Sequence, residues 1–297
     1  MKQKGIPIFA VIAIISACFF WAGSFIATKI ALKSIPPITV VSLRLIVSAL
    51  GFVVWMKIKG VNLNRIRKYR SGLFILSLFG TGLHYGIQTM GLQFTTASKG
   101  GIYAVTAPIT ITVIAAIFLK EKITIKKVFG IFLAIIGVLI VMGLENISNF
   151  NLKGDITGDI LILASIFMWG IFTILGKSLT KKIGPLEITG VITIIGALYM
   201  IPPGIYNMVR SRFTISGISS DSILAVIFLG LTCSFLATLL YVYALSKMES
   251  QKVGVYLYTI PPMTSIIAFL ILKEPIGYSM IVGSGLVLLG VYITERG

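Results

Sequence analysis

Ten apolar stretches, each about long enough to cross a hydrocarbon core of about 30 Å as a helix, divide this 297-residue chain. They run approximately over residues 6–30, 38–56, 72–94, 99–119, 127–144, 158–178, 186–207, 222–246, 252–272 and 277–294. A water-soluble fold cannot bury that much apolar surface. With 57% hydrophobic and 12% charged residues, the chain has too few polar side chains to cover a globular exterior, where about 25% charged is usual. The expected fold class is an all-α polytopic membrane protein, with the lipid bilayer as its solvent. The first stretch follows Lys2 and Lys4 as a signal peptide would. It is too long for an h-region and lacks a small-residue cleavage site, so it reads as the first span.

The formal charge of +17 would raise nucleic-acid binding on a soluble protein. Its distribution points elsewhere. With the amino terminus inside, inner loops and tails carry 18 Lys and Arg, clustered at 57–70, 120–127 and 177–182, against 7 on the outer side. Basic loops stay cytoplasmic and meet anionic lipid. Both termini are therefore expected in the cytoplasm of a plasma-membrane protein, with no nucleic-acid partner. The acidic connection 145–159, with Glu145, Asp155 and Asp159, falls outside. Cys18 and Cys233 lie in apolar stretches as small hydrophobes and give no disulfide framework.

The chain repeats itself. Trp21 and Lys29 recur as Trp169 and Lys177, and Pro37 as Pro185, at an offset of 148. Later the offset is 153: Lys99 to Tyr103 aligns with Lys252 to Tyr256, Pro108 with Pro261, Lys120-Glu121 with Lys273-Glu274, Gly130 with Gly283 and Gly137 with Gly290. An odd number of spans per repeat inverts one half relative to the other across the membrane. The expected organisation is a first repeat at 1–146, an external linker at 147–157 and a second repeat at 158–297. Inverted repeats mark alternating-access carriers, with the substrate site between the halves near the midplane.

The Trp21-x-x-Ser24-Phe25…Lys29 run, the Pro36-Pro37 turn before Leu43-Arg44, and the Ala97-Ser98…Pro108…Leu119-Lys120-Glu121 stretch resemble the drug/metabolite transporter superfamily, specifically its EamA-type ten-helix members. The resemblance covers both halves. It implies export of amino acids or similar small metabolites by alternating access, with no cofactor and no catalysis. The second half departs from the pattern where Ile192 replaces the Arg44 equivalent.

Polar and aromatic residues fall on particular faces. The first span offers Trp21, Ser24, Phe25 and Thr28; the third, Thr81, His84 and Gln88; the fourth, Tyr103, Thr106 and Thr110. The sixth offers Ser165, Trp169 and Thr173; the eighth, Ser234, Thr238 and Tyr241; the ninth, Tyr256 and Thr259. Residues 129–141 of the fifth span carry no polar side chain. Polar groups avoid lipid and prefer the bundle interior or a wet cavity. Trp21, Ser24, Thr28, His84, Gln88, Tyr103, Thr106, Trp169, Thr173, Thr238, Tyr241 and Tyr256 are the candidate substrate-binding set. The competing reading is that each Ser or Thr satisfies itself on a backbone carbonyl and the aromatics anchor at the interface.

His84 is the only histidine. Alone it supplies no zinc site, which takes three or four ligands, so no metal is expected; it either binds substrate with Gln88 or packs helices. Arg44 is the one charge clearly inside a span, costing about 2.5–3.5 kcal/mol on insertion scales. It attracts an anion or snorkels to the outer surface. No carboxylate is placed mid-span, which disfavours a proton-coupled drug exporter, and Glu121 and Glu274 read as interfacial partners of Lys120 and Lys273. Pro108 and Pro261 are either gating hinges or static bends. Gly80, Gly82, Gly86 and Gly91, with Gly283 and Gly290, allow close helix approach. No Walker loop, zinc-protease motif or Ser-His-Asp arrangement is present. A channel or a non-transporting scaffold is the other alternative, and a monomer suffices for the carrier.

Overall fold

The computed structural model describes residues 8–62, 66–104, 106–107, 109–111, 113–114, 124–142, 155–180, 182–211, 213–248, 253 and 256–296. Among them every regular element is helical. Helix α1 (Ile8–Ala31) leads into α2 (Pro37–Ile58), whose first residue gives up an N–H that a helix start does not use. The third apolar stretch is compound: α3 (Arg70–Ser77), a π-helical turn over Leu78–Leu83, and α4 (His84–Leu92). Then come α5 (Ala97–Ala104), α6 (Ile125–Met142), α7 (Asp155–Thr180) and α8 (Pro185–Arg210). The eighth stretch is again compound, with α9 (Ser220–Phe228), a π-helical segment over Leu229–Ala237 and α10 (Thr238–Lys247). Helices α11 (Ile260–Leu272) and α12 (Tyr278–Arg296) close the fold.

Among the described residues five helices are long and apolar enough to cross a membrane: Ile8–Ala31, Pro37–Ile58, Ile156–Gly176, Pro185–Arg210 and Ser220–Lys247. Ile260–Leu272 and Tyr278–Thr294 are shorter apolar helices. These features define a polytopic membrane protein. Its outer surface is greasy in the way lipid contact requires: on α6, Phe129, Phe132, Ile135 and Leu139 point away from the protein, while Ala134, Val138 and Val141 are buried.

Pairing of the helices is regular. α2 runs along α8, α6 along α12, α4 along α7 and α5 along α11, while α1 packs against α9 and α10 as well as α11. Between lipid-dissolved helices there is no hydrophobic drive to associate, so close packing and polar ties must hold them. Both are present. Thr39 donates to the Gly204 carbonyl at 3.0 Å and Ser42 to the Met200 carbonyl at 2.5 Å, joining α2 to α8. Ser77 donates to the Ile192 carbonyl at 2.6 Å, joining α3 to α8. Glycines supply the close approaches: α6 meets α12 where Gly137 faces Gly283 and Gly130 faces Gly290, and α4 meets α7 where Gly91 faces Gly158. Gly86 is an exception, because a methyl there would meet nothing nearer than 3.7 Å.

One end of the bundle is tied by charge. Lys29 Nζ donates to the carbonyls of Leu92 and Thr95 at 3.0 and 2.9 Å, caring for groups left over where α4 finishes. Asp159, expected in an external connection, instead stands in the first turns of α7 and is fully buried. Its carboxylate accepts from Thr95 Oγ1 at 2.5 Å and pairs with Lys99 Nζ at 3.3 Å. Glu274 is corrected too. Lys273 takes a left-handed turn (φ 58°) that ends α11, and the Glu274 carboxylate reaches the start of α5. There it accepts from the Ala97 and Ser98 N–H groups at 2.9 and 3.0 Å and from Ser98 Oγ at 2.7 Å. Helix-start N–H groups without intrahelical partners attract a carboxylate more than an adjacent exposed lysine does. The Lys120-Glu121 pair lies outside the described residues.

Removing one partner of a buried pair leaves the other charge uncompensated, at about 3–5 kcal/mol. Asp159→Ala is therefore expected to lower the melting temperature of the detergent-solubilised protein clearly. The double variant Lys99→Met/Asp159→Leu is expected to melt above either single variant, since two apolar groups strand no charge. A double variant that melts at the sum of the single losses would show that the two residues do not act as a pair.

Candidate functional site

The largest group of the residues singled out in sequence meets around one cavity inside the bundle. It spans about 600 Å³ of space free of protein atoms, a figure that includes solvent at its open side. Helix α1 contributes Trp21, Ser24 and Phe25; α2 contributes Arg44; α4 contributes His84, Tyr85 and Gln88; α7 contributes Ile166 and Trp169. Ala104 and Ala107 of the fourth span, with Leu257 and Ile260 of the ninth, complete the wall.

Aromatic contacts fix this wall. The Trp21 and Trp169 rings meet edge to face with centroids 5.7 Å apart, and Tyr241 of α10 leans on both, at 5.0 and 5.8 Å. Such edge contacts are favourable for ring quadrupoles and add about 0.5–1.5 kcal/mol beyond burial. Trp21 Nε1 donates to the Cys233 carbonyl at 3.2 Å, which orients its indole. Trp169 also packs on Phe172 at 4.8 Å and on the His84 ring at 5.0 Å. His84 is held from behind: Nδ1 lies 2.9 Å from the Ser165 carbonyl. A carbonyl only accepts, so Nδ1 carries a proton and Nε2 is left for other partners.

The predicted hydroxyl groups take the plainer of their two roles. Ser24 donates to the Trp21 carbonyl, Thr28 to Ser24, Thr106 to Tyr103 and Thr173 to Trp169, each one turn back on its own helix. Thr238 reaches the Cys233 carbonyl five residues back, as π-helical winding demands. Of these only Ser24 also lines the cavity. In an interior short of water a hydroxyl finds its nearest carbonyl first. Tyr103 is fully buried away from the cavity wall, and the half-buried Tyr256 is likewise not part of it. The fourth span presents alanines to the cavity instead, because a chamber is made by side chains too short to fill it.

Thr81 leaves the face it shares with His84 and Gln88 on a helical wheel. The π turn over Leu78–Leu83 bonds i to i+5 and winds fewer degrees per residue, so Thr81 faces α8, 3.1 Å from the Tyr199 hydroxyl. Pro261 is not inside a continuous helix: it stands in the first turn of α11, after a turn at 258–259, where its missing N–H costs nothing. Pro108 lies outside the described residues. Tyr85 was missed in sequence, masked by the single-face count around His84.

Arg44 does not snorkel. It is 2% exposed, its Nε donates to Ser234 Oγ at 3.0 Å, and its guanidinium carbon lies 4.1 Å from the Tyr85 ring centroid. Ser234 belongs to the second π-helical segment, so this contact joins α2 to the eighth stretch.

A helical membrane protein with an aromatic-walled internal chamber is the class these observations define. The model of the EamA-like transporter family matches residues 8–143 and again residues 156–296, and the chain belongs to that family. Two relatives in Archaeoglobus fulgidus, each named an uncharacterized transporter, are 30% and 28% identical over 281 and 274 residues. These alignments cover 93% and 92% of this chain and 95% and 93% of theirs. A chloroplastic WAT1-related protein of Arabidopsis thaliana is 25% identical over 286 residues, covering 95% of this chain and 68% of its own. A solved crystal structure at 15% identity superposes with a TM-score of 0.69 over 96% of both chains, a likeness of fold. The role carried by the family and by the names of the two archaeal relatives is transport.

Proposed function

We propose that the protein is a ten-span secondary carrier that moves a small metabolite, an amino acid or a similar solute, outward across the plasma membrane. Residues 1–146 and 158–297 are its two inverted repeats, joined by an external linker at 147–157, with both termini cytoplasmic. Alternating access exposes the chamber around Trp21 and Trp169 to each side in turn.

The observation that carries this reading is where the chamber lies: its two tryptophans come from equivalent positions of the repeat and touch each other. The helix pairing supports it further. Exchanging each first-half span for its second-half counterpart leaves the pairs α2–α8, α6–α12 and α5–α11 unchanged and turns α1 with α9–α10 into α7 with α3–α4. A cavity on such an exchange axis can be closed from either side by equivalent motions, which is what alternating access asks of a protein. Trp169 and Trp21, braced by Tyr241, would enclose apolar parts of the solute, and His84, Gln88 and Ser24 would meet polar groups. Pro261, at the start of α11, would act as a hinge when the halves move, and Pro108 would do the same.

Counterflow in proteoliposomes tests it. Vesicles preloaded with unlabelled solutes from a panel of amino acids, organic acids, nucleobases and sugars are expected to accumulate trace label of at least one. Uptake should saturate and slow sharply on cooling, as a carrier does and an open channel does not. Exchange that never saturates would favour a channel, and no exchange across the panel by folded protein would overturn the carrier reading.

A further inference from the structure

Most buried charge in this protein has a visible partner. Lys99 has Asp159, Lys29 has two carbonyls, and Glu274 has two N–H groups and a hydroxyl. Arg44 differs. Its Nε is taken by Ser234 and one face by Tyr85, contacts that orient a guanidinium without cancelling its charge. Among the described residues its terminal N–H groups have no acceptor and no carboxylate lies within ion-pair reach. An arginine does not escape by losing its proton. It lines the chamber, and none of the described residues lining that chamber is Asp or Glu.

We infer that the chamber selects a net anion, a carboxylate on a flat apolar or aromatic body, over the zwitterion and the cation of the same body, and that Arg44 is the receptor for the carboxylate. This rests on the carrier reading above, keeps its mechanism, and puts a simple carboxylate ahead of the zwitterionic amino acid as the solute. A carboxylate matches the planar N–H edge that Arg44 leaves unused. The Gln88 amide N–H lines the same wall and can add a hydrogen bond, while the rings of Trp21, Trp169 and Tyr85 flank a flat body. An amino acid brings the same carboxylate together with an ammonium, whose acceptors on this wall are π faces, the Gln88 amide oxygen, the Ser24 hydroxyl and His84 Nε2, all uncharged and beside a like charge. An amine alone meets that repulsion without the ion pair that a carboxylate makes with Arg44.

Three probes with one body test this: 3-phenylpropanoate, phenylalanine and phenethylamine. Two of the chain's three tryptophans, Trp21 and Trp169, line the chamber, so fluorescence quenching in the detergent-solubilised protein reports its occupancy, with calorimetric titration as the second readout. Phenylpropanoate is expected to bind at least about tenfold more tightly than phenylalanine, with phenethylamine weakest. Arg44→Gln should weaken phenylpropanoate by about tenfold or more and flatten the series, and Arg44→Lys should restore the order. Should Arg44→Gln fail to fold, the order of the three probes on the unaltered protein, with benzoate against benzamide as competitors, decides. Phenylalanine binding as well as phenylpropanoate, or an unchanged series in folded Arg44→Gln, overturns the inference. None of the three binding while another solute exchanges in counterflow also overturns it and leaves the carrier standing. No exchange of any solute overturns the carrier reading itself.

Discussion

Trp169→Ala is expected to reduce saturable exchange by at least about tenfold while leaving a folded, less stable protein. Trp169 touches Trp21, His84, Phe172 and Tyr241, more rings than any other side chain in the chamber wall. Taking away the indole joins its own volume to the cavity and frees His84 and Trp21 to turn. A buried Trp→Ala change costs about 3–5 kcal/mol in well-packed interiors, so the melting temperature must be followed beside the flux. Trp169→Phe keeps a ring against Trp21 and Tyr241 and is expected to recover a substantial part of both. Exchange at the parental rate in Trp169→Ala would take this chamber off the transport path, whatever the stability did.

The second large effect is expected far from the chamber, at the α6–α12 contact. A methyl placed on Gly137 would stand 2.7 Å from both the Gly283 carbonyl oxygen and the Val287 nitrogen. One on Gly290 would stand 2.5 Å from the Ala134 nitrogen and the Gly130 carbonyl oxygen. Those neighbours are backbone and cannot turn aside. Gly137→Ala and Gly290→Ala must therefore push the helices apart, at the 1–3 kcal/mol or so of overpacking, and larger residues should prevent the folded form from accumulating. Gly285 lies on the same helix with nothing within 4 Å of an added methyl. There Ala should be neutral or gain a few tenths of a kcal/mol, because helical glycine costs about 0.5–1 kcal/mol relative to alanine. Melting temperatures of the three variants in one detergent check this, and equal losses at Gly285 and Gly137 would remove the close-contact argument.

What could be read in the sequence follows from which physics dominates. The five long apolar helices were legible because water forces apolar length into the bilayer whatever the neighbours are. The Trp21–Trp169 pair was marked by the repeat, and Arg44 and His84 stood out through rarity in an apolar setting. Asp159 was misplaced because a carboxylate near a span boundary reads as a loop residue until its counter-ion is known, and Lys99 is 60 residues away in the chain. Ala104 and Ala107 were invisible, since a search for polar groups cannot find the residues that make space by being small. Hydroxyl groups were over-read: Thr28, Thr106, Thr173 and Thr238 have a carbonyl of their own helix within reach, and helical spacing does not reveal that choice.

The π-helical segments were also beyond hydropathy, which is blind to how tightly a helix is wound. They begin at Leu78 and Leu229, 151 positions apart, between the 148 and 153 of the sequence repeat. Each acts as an inserted residue that the helix absorbs without a loop. An α-helix turns about 100° per residue, so the number of residues between Ser77 and His84 sets the compass bearing of everything that follows in α4. His84 and Gln88 look into the chamber because of that count, and Ser234 meets Arg44 inside the corresponding segment. In this stretch arithmetic acts beside chemistry: Gly80 and Gly82 must stay small against Phe172 and Tyr199, while the number of residues over 78–83 sets where everything after them faces.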